Sequence, residues 1–118
     1  MIIPASAFAA RRLHIEGKTH VSTGASTLLK VSGHTSLRRG IAIYLDNARC
    51  ARHVGTEETR DHGISRQVVV RSVHGSFRNR IKIVRSAPGS HYLCAYLYHG
   101  KGARFVTDVR ATFHYVTG

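Results

Sequence analysis

Six carboxylates, nine histidines and two cysteines hold most of the chemical potential of this 118-residue chain. The acids Glu16, Asp46, Glu57, Glu58, Asp61 and Asp108 fall in no hydrolytic or phosphoryl-transfer pattern, since no G-x-S-x-G, H-E-x-x-H or Walker A run occurs. No two His stand at i, i+2 on an expected strand or i, i+4 on a helix, so no shared metal site is expected. His53, His62, His74, His91 and His99 fall at expected loops or strand ends, where imidazole is solvated. A Cys–His nucleophile needs a reactive thiolate, and Cys94 stands in an apolar run where a thiol is inert. The expectation is a protein with no catalytic residues, no metal and no cofactor.

Charge is the other resource. Eighteen Lys and Arg against six acids give a formal +12 with His neutral, and the His add to it at mildly acid pH. Such a surface attracts polyanions: nucleic acid, anionic lipid head groups or acidic wall polymers. Fourteen of the 18 cations are Arg, a bias that a GC-rich genome also produces with no partner involved. Composition leaves both readings open. The sharpest local feature is Arg78, Arg80 and Lys82, which project from one face of a strand whose other face carries Phe77, Ile81 and Ile83. Arg71 joins this row if residues 67–73 and 77–83 pair as a hairpin. Like charges in a row repel, so a polyanion would relieve a cost. The row lacks the interleaved exposed aromatics on which single-strand nucleic-acid binders stack bases. The competing reading is a solvated face that guards an edge against association.

The elements that must position these residues are strands. Leu13 and Ile15 alternate with Arg12, His14 and Glu16, and Thr27, Leu29 and Val31 alternate with Leu28 and Lys30 before an expected turn at Gly33. Gly40-Ile41-Ala42-Ile43-Tyr44-Leu45 is apolar on both faces, as in a strand covered from each side. Thr56-Glu57-Glu58-Thr59-Arg60 reads as a helical turn capped by Thr56 and confined by Gly55 and Gly63. Strands follow at residues 67–73, 77–83 and 92–98. A last one places Phe105, Val109, Ala111, Phe113 and Tyr115 opposite Arg104, Asp108, Arg110, Thr112 and His114. About seven strands at intervals of roughly 8–12 residues is the spacing of a sandwich or barrel. No segment has the about 20 apolar residues of a spanning helix.

The run Ala87-Pro88-Gly89-Ser90-His91-Tyr92-Leu93-Cys94-Ala95-Tyr96-Leu97 resembles the E–F corner and F strand of immunoglobulin-like and fibronectin-type-III-like sandwiches: a Pro-Gly turn, Tyr, then Cys two residues later. More narrowly, Tyr44-Leu45-Asp46, Cys50-Ala51, Gly75-Ser76-Phe77 and the closing Ala111-Thr112-Phe113 are similar to secreted single-sandwich proteins of actinobacteria. The resemblance implies an all-β, immunoglobulin-like antiparallel β-sandwich of about seven strands, export and a Cys50–Cys94 disulfide, and it implies no activity. It is imperfect, because the chain has no Trp to pack on a bridge. Pro88 and Gly89 would make the turn. Tyr92 is either a tyrosine-corner residue or an ordinary strand aromatic.

In such a sandwich the strands beside Cys50 and Cys94 are neighbours, and closing the loop between them would remove roughly 4 kcal/mol of unfolded-state entropy. Two independent buried thiols are the alternative; a metal pair lacks C-x-x-C spacing. Residues 1–10 end in small residues of A-x-A type, without the basic and apolar regions that precede a cleavage site. They read as a signal-peptide remnant or a disordered arm before one domain at 11–118. The expectation is therefore a secreted, non-enzymatic module with an interaction or structural role at the cell exterior. Its partner is an anionic cell-wall polymer, met through Arg71, Arg78, Arg80 and Lys82, or another protein. A small basic intracellular nucleic-acid-binding protein is the alternative.

Overall fold

In the computed structural model, which describes residues 11–100 and 105–118, the alternating segments form one curled sheet of six strands. These are β1 (Arg11–Glu16), β2 (His20–Val21), β3 (Thr27–Asp46), β4 (Ser65–Ile83), β5 (Gly89–His99) and β6 (Val106–Thr117). A short helix, α1 (Val54–Glu58), lies between β3 and β4. The expected remnant at residues 1–10 lies outside the described residues.

The path across the sheet is β1-β3-β5-β6-β2, with β4 beside β3. All pairings are antiparallel except the two-residue contact of β2 with β6. The long β3–β4 ribbon belongs to both layers. Its Thr27 end pairs with β1, its Asp46 end pairs with β5, and β4 accompanies it throughout. Between Thr35 and Arg39 the register slips, so that Ser36, Leu37 and Arg38 face His74 alone, and Gly75 beside it takes φ +80°. Extra residues on one strand bend a ladder. Here the bend folds the ribbon over a core that includes Leu29, Val31, Ile41, Ile43, Ile81 and Ile83 with Leu93, Leu97 and Tyr115.

Three local expectations are corrected. Gly33 is not in a turn but inside β3, directly opposite Leu13 of the neighbouring β1. A Cβ there would overlap the Arg12 carbonyl and come within 2.7 Å of Phe77 Cζ. Gly33→Ala should therefore cost about 2 kcal/mol, as overpacking does, measured by urea denaturation, with amide exchange quickening first along β1. Unchanged stability would refute the close packing. Residues 67–73 and 77–83 are not a hairpin either. They are the two halves of β4, kinked at Gly75, because each half finds its partner on β3. Finally, α1 starts from His53 in extended conformation, not from Thr56, and has no side-chain cap; burial of Val54 and Glu57 holds it instead.

The apolar run at residues 40–45 is covered on both faces, as its composition requires. Ile41 and Ile43 face the main core, while Ala42 and Tyr44 join Val54, Cys94 and Tyr96 in a second cluster. That second cluster is where the β3–β4 connection packs on the outside of the sheet. The Cys50–Cys94 disulfide, with Cα atoms 5.6 Å apart, ties this connection to β5, the neighbour of β3.

Candidate polyanion-binding face

Residues directly opposite in an antiparallel ladder share a face. On the outer side of β4, Arg78 stands opposite Ser32, Arg80 opposite Lys30 and Lys82 opposite Leu28. One strand further, His14 faces Ser32 and Glu16 faces Lys30, while Arg12 faces His34, which faces Ser76. The three cations expected from the alternation thus lie together and exposed. Register adds Lys30 and Arg12, which no local pattern reveals. A shallow depression of about 640 Å³ runs between Arg12 and His14 on one side and Arg78 on the other, with Phe77 at its wall.

Arg71 does not join this row as a hairpin would have it: it stands opposite Ile41, a residue of the main core, with its own side chain exposed. The ribbon's fold brings its Nη2 to donate to the Arg78 carbonyl at 3.4 Å. None of Arg71, Arg78, Arg80 and Lys82 takes part in an ion pair among the described residues. Glu16 is the one carboxylate in these ladder rows.

The other acids are engaged elsewhere. Leu97 pairs with Val109 but Tyr98 pairs with Thr107, so Asp108 is the extra residue of a bulge. Its carboxylate, 5% exposed, accepts from Arg39 Nε at 2.7 Å and lies 3.2 Å from Arg11 Nη1 and 2.8 Å from His99 Nδ1. Burial would raise the Asp108 carboxyl, but the hydrogen bonds and charges of His99 and Arg39 outweigh it and hold it below the usual range.

Asp46 and Glu57 are wholly buried beside the second cluster. Asp46 accepts from the Ala48 amide at 2.7 Å and from Arg60 Nη1 at 2.6 Å. Glu57 accepts from the Ala51 amide at 2.9 Å and from the Ser65 hydroxyl. The Tyr96 hydroxyl lies 2.6 Å from the Ala51 carbonyl and 3.1 Å from Glu57 Oε1. Burial pushes Glu57 up, and the adjoining Asp46 pushes it further. Burial also works against Asp46, but the hydrogen bonds with Glu57, Ala48 and Arg60 bring it below its ordinary value. Tyr96 is raised by burial and by Glu57. Cys94 Sγ completes a compact donor cluster with the two acids. Its sulfur is committed to the disulfide, and Arg60 already supplies the positive charge, so this cluster reads as an internal ion pair.

Of the other expected structural residues, Pro88 precedes Gly89, which takes φ +116° at the start of β5. The Tyr92 ring stacks on His114, centroids 4.6 Å apart, in the second cluster. The hydroxyl that reaches a backbone carbonyl upstream is that of Tyr96.

Two curled layers around one core, with a ribbon that belongs to both, define an immunoglobulin-like β-sandwich. Solved structures agree. The CARDB domain of a Pyrococcus furiosus protein, solved in complex with di-metal ions, superimposes with a TM-score of 0.56 at 11% identity, covering 93% of this chain and 96% of that one. A β-glucosidase mutant from Listeria innocua in complex with laminaribiose matches with a TM-score of 0.53 at 11% identity, over 92% of this chain but only 16% of the glucosidase. At such identity the likeness is one of fold. No family model matches the chain, and no curated protein is similar to it in sequence.

Proposed function

We propose that the chain is a secreted, non-enzymatic sandwich module that binds an anionic polymer at the cell exterior through Arg78, Arg80 and Lys82, flanked by Lys30 and Arg71. The observation that carries this reading is the ladder itself: Arg80 stands directly opposite Lys30 between two further cations, with no ion pair among the described residues to neutralise the row and Glu16 as its one neighbouring acid. Adjacent like charges on a sheet are unfavourable, and a repeating anion compensates several at once while releasing its counterions. The disulfide supports an exported module, since such bonds persist in oxidising compartments.

The test is retention on an immobilised acidic polymer as a function of salt. The wild type should elute late, and the Arg78→Ala, Arg80→Ala, Lys82→Ala triple variant at clearly lower salt, because counterion release scales with the number of contacts made. Equal elution of the two proteins would remove the proposal. Tighter, salt-sensitive binding to DNA than to wall polymer, together with two free thiols in native material, would replace it with an intracellular nucleic-acid binder.

A further inference from the structure

Folding the β3–β4 ribbon brings its two ends together. Leu45 and Arg66 come from the end where Asp46 pairs with Ser65. Ile83 and the turn after it come from the end where Thr27 pairs with Ile83. Between them lies a cleft of about 340 Å³, closed on its inner side by His91 of β5 and Tyr115 of β6. It shares no lining residue with the basic face described above.

The chemistry of its wall is one-sided. Arg66, Arg85 and His62 line it, and no carboxylate does. Neither Arg66 nor Arg85 has an ion-pair or hydrogen-bond partner among the described residues, whereas the guanidiniums of Arg11, Arg39 and Arg60 each meet an acid. Ser86, 4% exposed, also lines it, and its hydroxyl is buried with no hydrogen-bond partner. That hydroxyl is held in place by its own backbone: Gly24 N–H donates to the Ser86 carbonyl at 3.0 Å, and Ser86 N–H to the Ala25 carbonyl at 3.1 Å.

Two further features show a shaped site. Arg85 is the single non-glycine residue with positive φ (55°) among the described residues, a strained conformation of the kind found at binding sites. The His91 ring is fixed between the Ala87 carbonyl (2.7 Å) and the Asn47 side-chain oxygen (3.1 Å), and it stacks on Tyr115. Val84, 59% exposed, adds apolar surface at the rim.

We infer that this cleft binds the oxyanion group of a small, partly apolar organic molecule, with Arg66, Arg85 and the Ser86 hydroxyl on the anion and Val84 against the apolar body. Two unpaired guanidiniums and an unsatisfied donor, in a cleft without acids, recognise a carboxylate or phosphate. The volume admits a ligand of about one aromatic ring plus its anionic group, being at the lower limit of small-molecule pockets.

The full chain, titrated with phenyl phosphate, benzoate and benzyl alcohol and followed by amide NMR, tests this. Shifts centred on Arg66, Ser86 and His91 are expected with one or both anions and not with the neutral alcohol; the tighter anion names the oxyanion. The Arg66→Ala, Arg85→Gly double variant should weaken binding about tenfold or more, as loss of charge-assisted hydrogen bonds does. Glycine at position 85 tolerates the positive φ, so this variant keeps the turn. The Arg78→Ala, Arg80→Ala, Lys82→Ala variant should bind the small anion as the wild type does, which separates this site from the polymer face. Equal binding of benzyl alcohol, shifts confined to the outer face of residues 76–82, or undiminished affinity in the double variant would each overturn the inference.

Discussion

Replacing Cys50 and Cys94 together by alanine is expected to lower folding stability by about 4 kcal/mol, the loop-closure entropy of a covalent link across about 45 residues. The bridge spans 44 positions of sequence and encloses most of the β3–β4 connection with α1, the whole of β4 and the start of β5. Without it, the unfolded chain gains freedom that the folded chain never had. A domain of this size has a total margin of about 5–15 kcal/mol, so the variant should sit near the edge of folding at physiological temperature. The loss should show as a lower urea midpoint, and the slope should rise as the uncrosslinked unfolded state expands. The sandwich core lies on the other face of the β3–β5 pair, so folded material should keep its strands. A loss under about 1 kcal/mol would mean that the disulfide contributes little beyond what packing of the connection already secures.

The second large effect belongs to Arg60. Its guanidinium, 28% exposed, is the cation beside two carboxylates whose side chains have no exposure at all. Arg60→Ala would leave Asp46 and Glu57 buried with no positive partner. Breaking such a pair costs about 3–5 kcal/mol, and the partial exposure of Arg60 argues for the lower end. The penalty should depend on pH, with a sign that follows from the two acids. Glu57 is raised above its ordinary 4.5, so the stability it contributes is complete below that value and is lost as pH rises through the folded one. Asp46 is lowered beneath its ordinary 3.8, so its contribution is present above that value and is lost as pH falls through the folded one. The Arg60→Ala penalty should therefore shrink as pH falls toward the range where Glu57 is protonated. Glu57→Gln, which cannot ionise, should be flatter than the wild type above pH ~5. A penalty independent of pH from 5 to 8 would show that Arg60 acts by packing and not by charge.

Much of this architecture is legible along the chain, and the reasons for the failures are specific. Period-two alternation assigns faces correctly at Leu13 and Ile15, at Leu29 and Val31, and from Val109 to Tyr115, because a side chain's direction in a strand depends only on its parity. The alternation fails at Phe105, which lies beyond the Asp108 bulge and packs on the second cluster instead. The doubly apolar run at residues 40–45 likewise announces cover on both sides. Glycine is where local reading goes astray. Gly33 signals a turn by type, yet it is there because β1 and Phe77 come too close for a Cβ, and that neighbour is remote in sequence. Gly75 takes a positive φ without ending its strand, since β3 continues alongside to hold the ladder.

The acids follow the same division. Glu57 reads as one of two acids in a helical turn capped by Thr56, but it is a buried anchor for Ala51, Ser65 and Tyr96. Its partners come from three separate segments, so no window of sequence contains them. Asp108 reads as one polar residue in an alternating strand, and a one-residue bulge makes it the meeting point of Arg11, Arg39 and His99.

By itself, then, the order of amino acids determined which residues turn inward, that the chain is built of antiparallel strands, and that Arg78, Arg80 and Lys82 share a side. Those properties depend on neighbours one or two places away, where backbone geometry allows no choice. Only the tertiary structure decided that Lys30 stands beside Arg80, that Arg60 covers two buried acids, and that Arg66, Arg85 and Ser86 meet at one cleft. Register and the folding of the ribbon are set by the free energy of the whole core, which no short segment carries.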